Sequence, residues 1–150
     1  MDITVVKVEF SFSVHATEDV EKNMEAIQNI IPQEIIEDTN IKQEKLEGGY
    51  GNPIEFFQIT FTRKKEIDNV LQNIAVKLSE EEKKSLADEF NERFDRNKSI
   101  FYFRAKKESA VRNKLQITSS SNAIKIAIKM RSFVKGVDFK EFLVSTGILM

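Results

Sequence analysis

The first fifteen residues alternate. Val6, Val8, Phe10, Phe12 and Val14 fall on one side and Lys7, Glu9, Ser11 and Ser13 on the other, the period of two of a strand with one buried and one wet face. Thr17 then stands as the cap of a helix whose first turn carries Glu18, Asp19 and Glu21 beside its positive end. Val20, Met24, Ile27 and Ile31 recur at helical spacing until Pro32 ends the pattern. Residues 34–47 fit neither period cleanly, although Ile41 to Leu46 reads as an edge strand. Gly48-Gly49-Tyr50-Gly51-Asn52-Pro53 has the composition of a connection that uses positive φ angles, and it joins that strand to a second one in which Phe57, Ile59 and Phe61 alternate with Gln58, Thr60 and Thr62.

The period changes after Lys64. Ile67, Val70, Leu71, Ile74 and Leu78 line one side of a helix, and Ser79 with Glu82 three residues later forms a capping box for the next, which buries Leu86, Phe90 and Phe94. Asp95 to Lys98 is a turn leading into a strand, Ile100 to Ala105, and a short polar or helical crossing through Ser109 to Arg112. Leu115 to Thr118 and Ala123 to Phe133 flank Ser119-Ser120-Ser121-Asn122 as the arms of a hairpin. Asp138 caps a last short helix presenting Phe139, Phe142 and Leu143, with Gly147 near its end. Strand and helix signals are mixed and the hairpins are local. The pattern therefore predicts an α+β fold, a two-layer sandwich of one largely antiparallel sheet with helices packed on one face, spanning residues 1–150 as a single domain.

Composition narrows the function classes. No cysteine is present, which removes disulfides, thiolate metal sites and a cysteine nucleophile and fits a reducing compartment or a hot organism. No apolar run approaches the ~18 residues of a membrane span, and the alternation of residues 1–14 is unlike a signal peptide. The cytoplasm is the expected location. A net charge of −1 argues at first against a polyanionic partner, yet the charge is segregated along the chain. Residues 1–95 carry 11 basic and 21 acidic side chains, a net of −10, whereas residues 96–150 carry 12 basic and 3 acidic, a net of +9.

That basic third supplies the candidate site. Alternation sends Lys125, Lys129 and Arg131 to one face while Ile124, Ile126, Ile128 and Met130 fill the core, spacing cations by roughly 7 Å for every two residues, a step suited to phosphates. Arg104, Lys106, Lys107, Arg112 and Lys114 extend the patch if the two strands are neighbours. The same stretch also reads as a solvated face whose lysines suppress edge aggregation. With Phe101 and Phe103 in the core, Tyr102 stands among cations, where an aromatic ring can stack on an unpaired base. The opposite register buries Tyr102.

His15, the only histidine, together with Tyr50 and Asn52 of the glycine-rich segment, marks a possible loop site. The plainer readings are a structural hydrogen bond at a strand end and a tight connection with a packed tyrosine. The sequence has neither the glycine-rich phosphate cradles nor a nucleophile elbow, and it offers no metal-ligand set, so no catalytic residue, metal or cofactor is assigned.

Residues His15-Ala16-Thr17-Glu18-Asp19-Val20-Glu21-Lys22, followed by Glu47-Gly48-Gly49-Tyr50-Gly51-Asn52-Pro53-Ile54, resemble an archaeal family of about this length, the predicted RNA-binding proteins often labelled exosome subunits. The resemblance covers most of the chain. It implies an α+β fold like that of ribosomal proteins, no known catalytic residues, and RNA or an RNA-processing complex as partner. The residue-level alternative is a protein-interaction or scaffold module that makes no RNA contact, in which the acidic front and basic rear dock a complementary protein or a second copy as a homodimer.

Overall fold

The computed structural model describes residues 2–35, 40–47 and 51–150, the side chain of Gln33 excepted. Its elements run β1 (Ile3–His15), α1 (Val20–Ile30), a 3-10 turn (Gln33–Ile35), β2 (Ile41–Glu47), β3 (Pro53–Phe61), α2 (Lys64–Lys77), α3 (Glu80–Asp88), α4 (Phe90–Arg93), β4 (Phe94–Asp95), β5 (Ile100–Ala105), α5 (Lys107–Val111), β6 (Ile124–Ser132) and α6 (Phe139–Ser145). The strands form one six-stranded sheet in the order β2-β3-β1-β6-β5-β4, and every pairing is antiparallel. The fold is the α+β sandwich that the alternation predicts.

Period-2 alternation divides the sheet into two faces. The inner one carries Val8, Phe10, Phe12 and Val14 of β1, Phe57, Ile59 and Phe61 of β3, Phe101 and Phe103 of β5, and Ile124, Ile126, Ile128 and Met130 of β6, all buried. Ile67, Val70, Leu71 and Ile74 of α2 and Ala26, Ile27 and Ile30 of α1 join the same core. Two asparagines fasten the helical layer by satisfying backbone carbonyls that a helix end leaves open. Asn29 donates to Ala110 O at 2.8 Å and Val111 O at 3.1 Å, and Asn73 donates to Asn29 O and Ile30 O at the end of α1.

Several local expectations are corrected. Asp19, not Thr17, caps α1, because its carboxylate accepts from the N–H groups of Glu21 and Lys22. The buried stripe of α1 is accordingly Asn23, Ala26, Ile27 and Ile30, leaving Val20 exposed. Ile31 is buried just past the helix. In β1 the register shifts between Val5 and Lys7, which pair with Met130 and Lys129. Val6 is thus the extra residue of a bulge, and Val5 takes the place on the core side. Half of the capping box forms. Ser79 Oγ accepts from Glu82 N–H at 3.2 Å, but the Glu82 carboxylate accepts from Ile117 N–H at 3.0 Å.

The hairpin expected around Ser119–Asn122 does not form either, since β6 pairs with β1 and β5. Residues 115–118 instead follow the end of β5, with Lys106 N–H donating to Gln116 O and Thr118 N–H to Arg104 O, both at 2.9 Å. Glu82 therefore fixes this segment from the helical side.

Candidate nucleic-acid interface

Among the described residues the outer face of the sheet carries no helix-packed core, and the residues on it follow from the register. Lys7 of β1 lies opposite Lys129 of β6, and Ser11 opposite Lys125. Lys125 in turn lies opposite Arg104 of β5, Ala127 opposite Tyr102, and Lys129 opposite Ile100. Thr4 pairs with Arg131. None of these side chains is buried. The face holds two cross-strand pairs of like charge, Arg104–Lys125 and Lys7–Lys129, with Arg131 beyond the second, and one carboxylate between them, Glu9, opposite Ala127. Glu9 reaches Lys7 at 3.6 Å. Arg104, Lys125, Lys129 and Arg131 have no carboxylate partner among the described residues.

Two of the cations rest on aromatic rings. The Lys125 ammonium stands 4.6 Å from the centroid of Tyr102, and the Arg131 guanidinium 5.1 Å from that of Phe133, a side chain 89% exposed. Cation–π attraction of this kind holds a long flexible side chain in place. It also changes the expectation for Tyr102: the ring lies on the open face as the first register requires, but the ring is covered by Lys125, so its immediate effect is to position that ammonium.

The remaining predicted cations separate from this group. Lys106 is exposed at the end of β5, where it caps α5. Lys107 turns inward and donates to Ser13 O at 2.5 Å, Glu18 Oε2 at 3.0 Å and Asn122 Oδ1 at 2.9 Å. Burial pushes the Glu18 carboxyl up, but the His15 N–H, the hydrogen bond and charge of Lys107 and the Asn23 amide together outweigh it and hold Glu18 below its ordinary value of 4.5. Lys107 is thus neutralised. Arg112 and Lys114 follow α5, which packs on α1 in the helical layer, away from the outer sheet face.

His15 is exposed at the end of β1, opposite Ile54, with its N–H bonded to Glu18 at 3.1 Å. Asn52 is exposed just before β3, and Tyr50 lies outside the described residues. Among the described residues no group of three or more His, Cys, Asp or Glu side chains is placed to hold a metal ion, and no helix is long and apolar enough to cross a membrane.

Sequence reasoning missed Lys7, Glu9 and Phe133. The wet face of β1 was legible from alternation, but its placement beside β6 comes from a pairing across more than a hundred residues.

The structure defines an antiparallel α+β sandwich whose outer sheet face bears cations. A family model described as RNA binding matches residues 7–130, and the chain belongs to that family. It is 31% identical over 121 residues to the RNA-binding protein PAB1135 of Pyrococcus abyssi, covering 80% of this chain and 78% of that one. Among solved structures it is similar to AF2318 from Archaeoglobus fulgidus, at 28% identity and a TM-score of 0.75 over 95% of this chain and 99% of that one. Mth689 from Methanothermobacter thermautotrophicus, at 24% identity and a TM-score of 0.72 over 97% and 98% of the two chains, shares the fold.

Proposed function

We propose that this chain binds RNA without catalysing a reaction on it, through the outer face of its sheet, with Arg104, Lys125, Lys129 and Arg131 contacting phosphates, and that it serves an RNA-processing assembly. The observation that carries this reading is the Arg104–Lys125 pair. Like charges directly opposite on neighbouring strands are destabilising, and neither side chain has a carboxylate to relieve it. A phosphate between them turns that repulsion into attraction. The family match and the PAB1135 relative support RNA as the polyanion.

Filter binding of a single-stranded RNA across a salt series tests the reading. With about four phosphates neutralised, the logarithm of affinity falls against that of salt with a slope near −3, from roughly 0.7 per contact. Charge reversal at Lys125 and Lys129 weakens binding and flattens the slope. Salt-insensitive association, or none at low ionic strength, overturns the proposal.

A further inference from the structure

Among the described residues the outer margin of β5 is paired at two places. β4 pairs at Ile100 and Phe101, and the 116–118 segment pairs at Arg104 and beyond. A notch of about 320 Å³ lies between them, lined by Glu92, Tyr102, Phe103, Arg104, Ser119 and Lys125 together with Arg93 and Thr118. Its volume is at the small end of the range for small-ligand sites.

The notch is bipolar. Arg104 and Lys125 have no carboxylate partner among the described residues. Arg93, the third cation, is taken by Glu89, at 2.6 Å. Ser119 contributes an N–H and a hydroxyl that form no hydrogen bond among the described residues. From α4, the exposed Glu92 also lines the notch; its carboxylate lies within 4 Å of neither Arg104 nor Lys125 and has no partner among the described residues. Cations and carboxylate share one small cavity without neutralising each other. A ligand matching both carries an anion at one end and a group donating hydrogen bonds at the other.

We propose that the notch takes the 3′-terminal ribonucleotide of an RNA strand, with its internucleotide phosphate on Arg104, Lys125 and Ser119 and its free 2′,3′-diol donating to Glu92. A carboxylate accepts two hydroxyl donors well and repels a phosphate in the same position, so Glu92 discriminates a free end from a phosphorylated or continued one. This inference rests on the RNA-binding reading of the sheet face and assigns one margin of that face to the strand end.

Three RNAs of one sequence test it by fluorescence anisotropy: a linear strand with a free diol, the same strand with a 3′-phosphate, and its covalently closed circle. The expected result is that the diol-ended strand binds about tenfold more tightly than either of the others, and that Glu92→Ala, at an exposed position, reduces that ratio to near one. Equal affinity of all three RNAs for the unaltered protein overturns the notch assignment and leaves the sheet-face reading standing, as does a preference for the diol that survives Glu92→Ala. Failure of all three to bind overturns both.

Discussion

Lys107 crosses 89 positions of sequence to place its ammonium 3.0 Å from the carboxylate of Glu18, and the same nitrogen holds the carbonyl of Ser13 and the side chain of Asn122. One side chain from the basic third thereby joins the end of β1, the start of α1 and the loop before β6. Its side chain is only 11% exposed, so solvent screens this contact far less than it screens a surface ion pair.

Removing the ammonium leaves Glu18 and the Ser13 carbonyl short of a partner in a partly dry site. Lys107→Met is therefore expected to lower the unfolding free energy by roughly 2–3 kcal/mol. Arg112→Met, at an exposed cation just past the other end of the same helix, changes stability by no more than about 0.5 kcal/mol. Urea denaturation separates the two: the midpoint drops for the first at an unchanged slope and stays in place for the second. RNA affinity is unaffected by Lys107→Met, because that cation is spent inside the protein.

Glu18 gives the same contact a pH dependence whose sign is fixed. Its carboxyl is held below 4.5 in the folded protein, so the unfolded chain takes up this proton first as the solution is acidified. The stabilisation is complete above the unfolded value and disappears as the pH falls through the folded one. Relative to Glu18→Gln, the native protein has its full advantage at neutral pH and loses it in the acid range below about pH 4.5. Denaturation midpoints of the two proteins collected down to about pH 3 check this. A gap that stays constant across the series contradicts it.

Much of this architecture was legible because local spacing and tertiary burial coincide. The stripe Ile67, Val70, Leu71, Ile74 became the buried face of α2, and the alternation around Phe101, Phe103 and Ile126 fixed which side of β5 and β6 meets the helices. The same alternation set Tyr102, Arg104, Lys125, Lys129 and Arg131 on the outer face. What spacing does not contain is the choice of partner. Leu115 to Thr118 has the look of a hairpin arm, but Glu82 and the end of β5 take up its backbone groups. Lys107 and Lys106 are neighbours of identical type, yet one is neutralised and the other exposed, a difference decided by Glu18 far away in sequence. The bulge at Val6 was equally hidden, since a run of two valines satisfies either register.

The inner aromatic cluster makes a prediction about the support of the basic face. Phe101 is fully buried with its ring 5.6 Å from Phe90 and 6.1 Å from Phe103, and it lies one residue from Tyr102 on the same strand. Phe101→Ala opens a cavity under β5 and is expected to cost about 3–5 kcal/mol. Phe133→Ala, at the 89% exposed ring under Arg131, costs little stability and weakens RNA binding severalfold by freeing the guanidinium. Thermal unfolding and anisotropy on the two variants should therefore move in opposite proportions.

Among the described residues Glu9 is the one carboxylate seated within the cationic stripe, and it offers a change that improves the proposed function. It lies opposite Ala127, between the rows that hold Lys125 and Lys129, and it partly neutralises Lys7 at 3.6 Å. An RNA backbone crossing from one like-charge pair to the other passes over it. A unit charge about 4 Å from a phosphate is worth about 1 kcal/mol at the dielectric of water, so Glu9→Gln is expected to tighten RNA binding by roughly fivefold at low salt. The freed Lys7 adds a phosphate contact, which steepens the salt dependence by about 0.7 in slope. Stability is little affected, because the lost ion pair is partly exposed and its lysine stays in water. If RNA passes instead over the helical side, past Arg112 and Lys114, Glu9→Gln leaves both affinity and slope unchanged, and the same titration distinguishes the two paths.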